Sequence, residues 1–133
     1  MCIRDSLDSQ SASAAAEAAV TAAQEGLAAV QALNEAAPSE PSGEVSWRPL
    51  DMGIALHRGP VFFGNIGSKD RLDFTVIGPA VNLAARVEPI SKETGRRLLL
   101  TEKVAEVLDR RFEHLGEFRI RGLADPIPLF SPD

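Results

Sequence analysis

The sequence has little of what marks secreted or membrane-spanning proteins. It contains one cysteine, Cys2, which excludes an internal disulfide and suits a reducing compartment. No apolar run approaches the roughly 20 residues that a helix needs to span a bilayer. The opening MCIRDS has no apolar core followed by a small-residue cleavage site, so it does not resemble a secretory signal. We therefore expect a cytoplasmic chain and leave membrane attachment of a longer parent protein open.

Positive charge is also in short supply. The 14 Lys and Arg residues are outnumbered by 19 Asp and Glu residues, and the net charge of -5 argues against non-specific nucleic-acid binding, which requires a basic face. The 133 residues are 44% hydrophobic and 25% charged, near the globular average, so they can bury a core as one domain or part of one. MCIRDS is more typical of an assembly or cloning scar than of native sequence. We assign residues 1–6 to such a scar and 7–133 to the domain.

An alanine-rich segment is the first regular element. Residues 11–36 contain no proline and have high helix propensity. Apolar residues recur at spacings of three and four, which predicts a helix that packs on a sheet through one stripe, formed by Val20, Ala23, Leu27 and Val30. Proline, serine and glycine cluster in residues 37–46, which predicts a loop before a core that covers 47–133.

The rest of the chain alternates strands with helices. Residues 47–58 alternate in polarity, which predicts a strand with one apolar side formed by Leu50, Met52, Ile54 and Leu56. A helix is predicted from Pro79 to about Glu88, and another over residues 102–110 with Thr101 as its cap. Further strands are predicted at 61–67, 72–78 and 96–101, and in the closing pair FEHLGEFRIRG and PIPLF. This order predicts an α/β (α+β) fold with helices packed on a mixed sheet.

The stretch DFTVIGPAVNLAAR, residues 73–86, carries a polar pair in an otherwise small and apolar helix. Asn82 and Arg86 are four positions apart, so at about 100° per residue they lie within roughly 40° of each other around the axis. Arginine has forked donors that suit phosphate oxygens, and an asparagine amide can bind a sugar oxygen. The alternative is that Asn82 satisfies a backbone group near the helix start and Arg86 is a solvated charge. Spacing alone does not decide between the two.

Other candidate sites have weaker patterns. GNIGS, residues 64–68, lacks the Lys-Ser/Thr ending of a phosphate-binding loop and predicts a turn between strands. His57 and His114 are far apart and accompany no Cys or His cluster, so no zinc site is expected, and His57 is predicted to be solvated. Asp70 and Asp73 belong to a charged segment that we interpret as a solvated turn rather than a magnesium site. No Ser-His-Asp order or activated cysteine is present.

One long segment resembles a known family. Residues 53–88, GIALHRGPVFFGNIGSKDRLDFTVIGPAVNLAARVE, are similar to the second half of a class III adenylate/guanylate cyclase catalytic domain. The shared pattern is a Gly-Ile-x-x-His-x-Gly-x-Val strand, a Gly-x-Ile-Gly turn and then Gly-x-x-Val-Asn-x-x-x-Arg. The alanine-rich helix and GEFRIRGLADPIPLF resemble flanking parts of the same domain more weakly. The resemblance implies the ferredoxin-like nucleotide cyclase fold, truncated at its N-terminus.

The resemblance also implies a reaction and a set of roles. In this family the 3′-hydroxyl of ATP attacks its own α-phosphorus, expels pyrophosphate and yields cyclic AMP for intracellular signalling, at a site on a homodimer interface that uses two Mg²⁺ or Mn²⁺ ions. Arg86 matches the arginine that stabilises charge on the α-phosphate, and Asn82 matches the asparagine that holds the ribose. Thr75 matches the purine-contacting position and favours ATP over GTP. Arg121 is a candidate phosphate contact.

The sequence departs from the family pattern in ways that bear on activity. The family's two metal-binding aspartates and the purine-reading lysine have no match in residues 1–46. Leu123 stands where some relatives carry a phosphate-binding lysine, and Pro79 replaces the more usual Asp or Asn after the glycine. Without the metal carboxylates we expect the isolated chain to be inactive with ATP and either metal ion. Truncation of a complete cyclase domain is the simplest interpretation.

Two alternatives remain open at the level of sequence. A non-catalytic cyclase-like module could dimerise or bind nucleotide to regulate a partner, and a guanylate cyclase could use GTP in place of ATP. The joint presence of Thr75, Asn82 and Arg86 favours the enzyme, because a purely structural module has no evident use for that trio.

Overall fold

The computed structural model describes residues 11–36 and 48–132. The segment 1–6 and the predicted loop 37–46 lie outside the described residues. Within the described ranges the helices and strands follow one another as α1 (Ala12–Glu35), β1 (Ile54–Leu56), β2 (Phe62–Ser68), β3 (Arg71–Ile77), α2 (Pro79–Val87), α3 (Ile90–Thr94), β4 (Leu98–Thr101), α4 (Glu102–Ala105), β5 (Glu113–Phe118) and β6 (Ile127–Ser131).

The strands form one four-stranded sheet and one separate hairpin. The larger sheet has the order β1-β4-β6-β5, in which β1 and β4 are parallel and the other neighbours are antiparallel. Among the described residues, strands β2 and β3 pair only with each other, as an antiparallel hairpin. The mixed sheet with packed helices confirms the predicted α/β (α+β) architecture. The short helix α3, which follows Pro89, was not predicted.

The helices cover both faces of the four-stranded sheet. Successive residues of a strand point to opposite faces, so β4 contributes to two apolar clusters. One cluster joins α1 and α4 to the sheet and contains Ala16, Val20, Ala23, Leu56, Leu98, Leu100, Val104 and Leu108. The other lies on the opposite face, under α2 and α3, and contains Val87, Ile90, Leu99, Ile120 and Leu129. Val20, Ala23 and Leu27 of the predicted stripe therefore face the sheet, whereas Val30 is half-buried outside this cluster.

The strand predicted over residues 47–58 is much shorter in the structure. Only Ile54–Leu56 pair with a neighbour, in register with Leu98–Leu100 of β4. Upstream, the side chain of Asn34 on α1 forms hydrogen bonds with both backbone polar groups of Leu50. Its amide nitrogen donates to the Leu50 carbonyl at 2.8 Å, and its amide oxygen accepts from the Leu50 N–H at 2.7 Å. Because those groups are already bonded, they do not join a ladder at that point, and the prediction was wrong there.

Two further predictions need correction. Residues 64–68 belong to strand β2, and the turn that was expected there is formed by residues 69–70. Gly67 has a φ of +147°, and a Cβ at that position would collide with the Arg71 carbonyl, so the strands approach closely next to the turn. The helix predicted over 102–110 ends at Ala105, because the next backbone bonds span three residues rather than four.

None of the helices in 11–36 or 48–132 is long and apolar enough to cross a bilayer.

Candidate functional site

The junction between β3 and α2 places a helix start directly at the end of a strand. Gly78 separates the two elements with a φ of +140°, and Pro79 occupies the first turn of α2. The Gly78 carbonyl accepts from the backbone N–H of Val81 at 3.1 Å and from that of Asn82 at 3.2 Å. Glycine permits this backbone direction and proline pre-sets the φ of the first helical residue. Gly78 and Pro79 therefore explain why the strand changes abruptly to a helix at this point.

Asn82 and Arg86 lie on the exposed side of α2, one turn apart. The opposite side of the helix is fixed to the sheet by Val87, which is fully buried, and by Leu83, which packs against the same cluster. The backbone N–H of Asn82 belongs to the first helical turn, but its side-chain amide forms no hydrogen bond within the part of the chain that the structure describes. The alternative interpretation had expected this amide to bind a backbone group near the helix start, and it does not do so.

Arg86 has a defined partner. Its Nη1 donates to the main-chain carbonyl of Arg121, at 2.7 Å, across 35 residues of sequence. The structure thus brings two of the predicted site residues together, one on α2 and one in the turn between β5 and β6. Gly122, which the sequence did not single out, lies directly beside the guanidinium. Arg86 is exposed, but it is anchored rather than a freely solvated charge.

Thr75 lies on β3, three residues before Gly78, and pairs across the hairpin with Gly64. Its side chain is half-buried. Within the described residues it forms no hydrogen bond to Asn82 or Arg86. The structure therefore places Thr75 on the element that leads into α2 without joining it to the other two side chains.

His57 follows β1. It was predicted to be solvated, but the structure places it in contact with a neighbouring strand. Leu56 and Leu100 are partners in the parallel ladder, so the next residues along, His57 and Thr101, emerge side by side. The His57 Nδ1 and the Thr101 Oγ1 are 2.8 Å apart. The Thr101 side chain forms no capping hydrogen bond on α4, so the prediction that it caps this helix was wrong. Partial burial, and secondarily the ammonium of Lys103, lower the pKa of His57.

Comparison with known proteins identifies the family. A sequence model described as the adenylate and guanylate cyclase catalytic domain matches residues 4–130. The chain belongs to the adenylate and guanylate cyclase catalytic domain family. This agrees with the resemblance carried by residues 53–88 and with the mixed sheet.

Individual relatives of this cyclase-family chain cover only part of it. An adenylate cyclase of Anabaena cylindrica is 42% identical over 67 residues, which are 50% of this chain and 13% of that protein. Adenylate cyclase 1 of Rhizobium meliloti (strain 1021) is 30% identical over 80 residues, 59% of this chain and 12% of that protein. A solved bacterial light-regulated adenylyl cyclase is 30% identical with a TM-score of 0.50, over 56% of this chain and 22% of that one. The chain therefore corresponds to a small share of each relative.

The described residues show no cluster of potential metal ligands. Asp70 is exposed in the turn of the β2-β3 hairpin, whereas Asp73 is exposed within strand β3 opposite Ile66, so the prediction of a turn was wrong for Asp73. Across 11–36 and 48–132 no three His, Cys, Asp or Glu side chains are close enough together to hold a metal ion. We derive no step through a metal from this chain's own residues.

A cleft of about 580 Å³ lies at the other end of α2, beside Asp51, Gly53, Glu88, Ser91 and Arg97. Neither Asn82 nor Arg86 lines it. The candidate cyclase residues Asn82 and Arg86 are instead on the exposed side of α2.

The His57 environment predicts a pH dependence of stability. Because the pKa of His57 is lowered in the folded chain, its stabilising contribution is complete above the unfolded value near 6.5 and is lost as pH falls through the lower folded value. We expect His57→Gln to reduce the loss of stability between about pH 7 and pH 5. Urea unfolding at both pH values measures this. His114→Gln is the matched control, because His114 is exposed on β5. An unchanged pH dependence in His57→Gln would contradict the assignment.

Proposed function

We propose that this chain provides the ribose- and phosphate-binding part of a nucleotide cyclase that converts ATP into 3′,5′-cyclic AMP and pyrophosphate. One observation carries the proposal: Asn82 and Arg86 lie together on the exposed side of α2, with the Arg86 guanidinium anchored on the Arg121 carbonyl. Membership of the cyclase family supports a reaction at the α-phosphorus of a nucleoside triphosphate. The names of the Anabaena and Rhizobium relatives support ATP as the substrate.

Each residue has a definite task in this reaction. The ribose 3′-oxygen forms a new bond to the α-phosphorus while the bond from that phosphorus to the bridging oxygen of pyrophosphate breaks, and the 3′-hydroxyl proton is released. Arg86 donates hydrogen bonds to the α-phosphate oxygens, on which negative charge is concentrated in the transition state. Asn82 holds the ribose so that its 3′-oxygen approaches in line. Thr75 contacts the purine, and Arg121 offers a further cation to the phosphates.

The β2-β3 hairpin supports the proposal that the site is completed in a homodimer. In the register of the hairpin, Phe62 and Phe63 point to opposite faces, and both faces carry exposed apolar side chains. Six large side chains there are between 42% and 74% exposed: Phe62, Phe63, Ile66, Leu72, Phe74 and Ile77. A two-stranded hairpin has little stability alone, and an apolar patch of this kind marks an interface. A second copy that packs on the hairpin would shield the apolar side chains of the face that it covers.

A mixed-dimer assay tests the proposed function. The cyclase domain of the Anabaena cylindrica relative is prepared with alanine at the two positions that align with Asn82 and Arg86, so that it supplies only the metal-binding carboxylates that the family resemblance implies. We expect neither protein alone to convert ATP in the presence of Mn²⁺. Their mixture should release cyclic AMP and pyrophosphate, identified by mass spectrometry.

The same assay distinguishes the alternatives. Faster conversion of GTP to cyclic GMP would refute the role given to Thr75 and favour a guanylate cyclase. A mixed dimer that forms in sedimentation analysis but yields no product would favour the non-catalytic regulatory module. Phe62→Ser is expected to weaken both dimer and product formation, because Phe62 is 74% exposed on the hairpin. Leu33→Ser, at a 54% exposed position on α1, is the matched control and should change neither.

A further inference from the structure

The contact between α2 and the β5-β6 turn constrains the position of the Arg86 guanidinium. Arginine is long and flexible, and an exposed arginine normally samples many rotamers. In this chain Nη1 is held at 2.7 Å by the Arg121 carbonyl, while the structure gives Arg86 no ion pair within the described residues. The main-chain carbonyl is thus its one polar anchor among the residues of 11–36 and 48–132. Since it is part of the backbone, its position depends on the conformation of the turn.

Gly122 meets two separate requirements of that turn. Its φ is +92°, a backbone conformation that side-chain-bearing L residues rarely adopt. In addition, a Cβ added at Gly122 would overlap the Nη1 of Arg86 and would lie 3.3 Å from its Cζ and 3.8 Å from its Nη2. The space beside this glycine is therefore already occupied by the guanidinium. The first requirement concerns the backbone of the turn alone, whereas the second concerns Arg86.

We propose that Gly122 is a positioning residue for Arg86. Because Gly122 has no side chain, the guanidinium can reach the Arg121 carbonyl, which holds it in position to bind the α-phosphate. This rests on the proposed function of Arg86. A guanidinium has five N–H donors in one plane. When Nη1 bonds to the carbonyl, the plane is oriented and other donors remain for phosphate oxygens. An oriented donor needs no rearrangement as charge develops on the phosphate, which is the basis of electrostatic catalysis.

A purely local role for Gly122 would make a different prediction, and Gly116 separates the two. Gly116 also has a positive φ, +118°, but a Cβ there would meet only Phe118, whose Cε2 lies 4.0 Å away. Gly116→Ala therefore imposes backbone strain without touching Arg86. It is the matched control for Gly122→Ala, which imposes both strain and a collision with the guanidinium.

A double-mutant cycle on the 133-residue chain tests the steric coupling without any assay of activity. The stability loss caused by Gly122→Ala, measured by urea unfolding, should be smaller in an Arg86→Ala background, because the colliding group has been removed. Gly116→Ala should cost the same in both backgrounds. Equal costs for Gly122→Ala in the two backgrounds would overturn the proposal.

Side-chain relaxation of ¹⁵N-labelled protein provides a second, spectroscopic test. We expect the Arg86 Nε–H of the unmodified chain to be ordered and that of Gly122→Ala to fall to an order parameter below about 0.6, the range of flexible groups. Gly116→Ala should leave the Arg86 signal unchanged. The Arg86 resonance is assigned by its disappearance in Arg86→Lys. An equally mobile Arg86 in all variants would contradict the positioning role.

The mixed-dimer assay then shows whether positioning matters for turnover. Gly122→Ala should lower kcat by about 10- to 100-fold while KM changes little, because a misplaced donor affects the transition state more than substrate binding. Gly116→Ala should retain near-normal kcat. Equal rates for Gly122→Ala and the unmodified chain would overturn the proposal. If no pair forms any product, the proposed function fails, yet the double-mutant cycle and the relaxation data still judge the contact between Gly122 and Arg86.

Discussion

Arg86→Ala is expected to reduce cyclic AMP formation in the mixed-dimer assay by about 10²–10³-fold, which is the typical effect of removing one donor that stabilises transition-state charge. The guanidinium lies on the exposed side of α2 and is anchored on the Arg121 carbonyl, while Val87 fixes the opposite side of the helix to the core. Its loss should therefore act on the reaction rather than on folding. Initial rates at saturating ATP, with the melting temperature of each variant as a check, measure the effect.

Two controls refine the interpretation of Arg86→Ala. Arg86→Lys keeps the charge but loses the planar set of donors, so it should fall between the alanine variant and the unmodified chain. Arg97→Ala removes an exposed arginine whose partner is Asp51, at 3.7 Å, and should leave the rate near normal. Near-normal turnover of Arg86→Ala would show that the role assigned to this residue is wrong.

Leu100→Ala is expected to lower the stability of the chain strongly. Leu100 is fully buried on β4, faces α1, and pairs with Leu56 on one side and with Phe130 on the other. Removal of a buried leucine side chain costs about 2–5 kcal/mol, because apolar contacts are lost and a cavity remains. Since domains are stable by only about 5–15 kcal/mol, this is a large fraction of the total. Urea unfolding followed by circular dichroism gives the difference in unfolding free energy.

Leu33→Ala is the matched control for Leu100→Ala. Leu33 is 54% exposed near the end of α1, so its truncation should change the unfolding free energy by less than about 0.5 kcal/mol. Leu99→Ala, on the opposite face of β4, should cost as much as Leu100→Ala because its side chain is equally buried in the second cluster. If Leu100→Ala resembled Leu33→Ala, the proposed division of the core between two sheet faces would be refuted.

Local features of the sequence were a sound guide to most elements. The alanine-rich segment predicted a helix over 11–36, and α1 spans Ala12–Glu35. The Gly78-Pro79 break predicted the boundary between β3 and α2, and the spacing of Asn82 and Arg86 predicted a shared helix side. These features depend on helix propensity, turn chemistry and helical period. Because each of these acts over only a few residues, it can be predicted from the sequence.

Contacts between distant segments were not predictable in the same way. The strand around Leu50 is interrupted because Asn34, which is 16 residues away, binds its backbone. His57 was expected in solvent, but the parallel register of β1 and β4 places it against Thr101. Nothing in the local pattern indicates which polar group a distant side chain will satisfy, because that depends on how the elements pack.

The candidate site likewise combines features that the local sequence predicts with contacts that depend on the fold. Helical period and composition were enough to single out Asn82 and Arg86 and to place them on one side of a helix. The orientation of Arg86 depends on the Arg121 carbonyl and on the space beside Gly122, which are 35 and 36 positions further along the chain. Only folding brings that turn to α2, because the pairing of β5 with β6 positions it and the burial of Val87 positions the helix. The local sequence thus determines which side chains share the exposed side of α2, and the packing of distant segments determines how the Arg86 guanidinium is oriented.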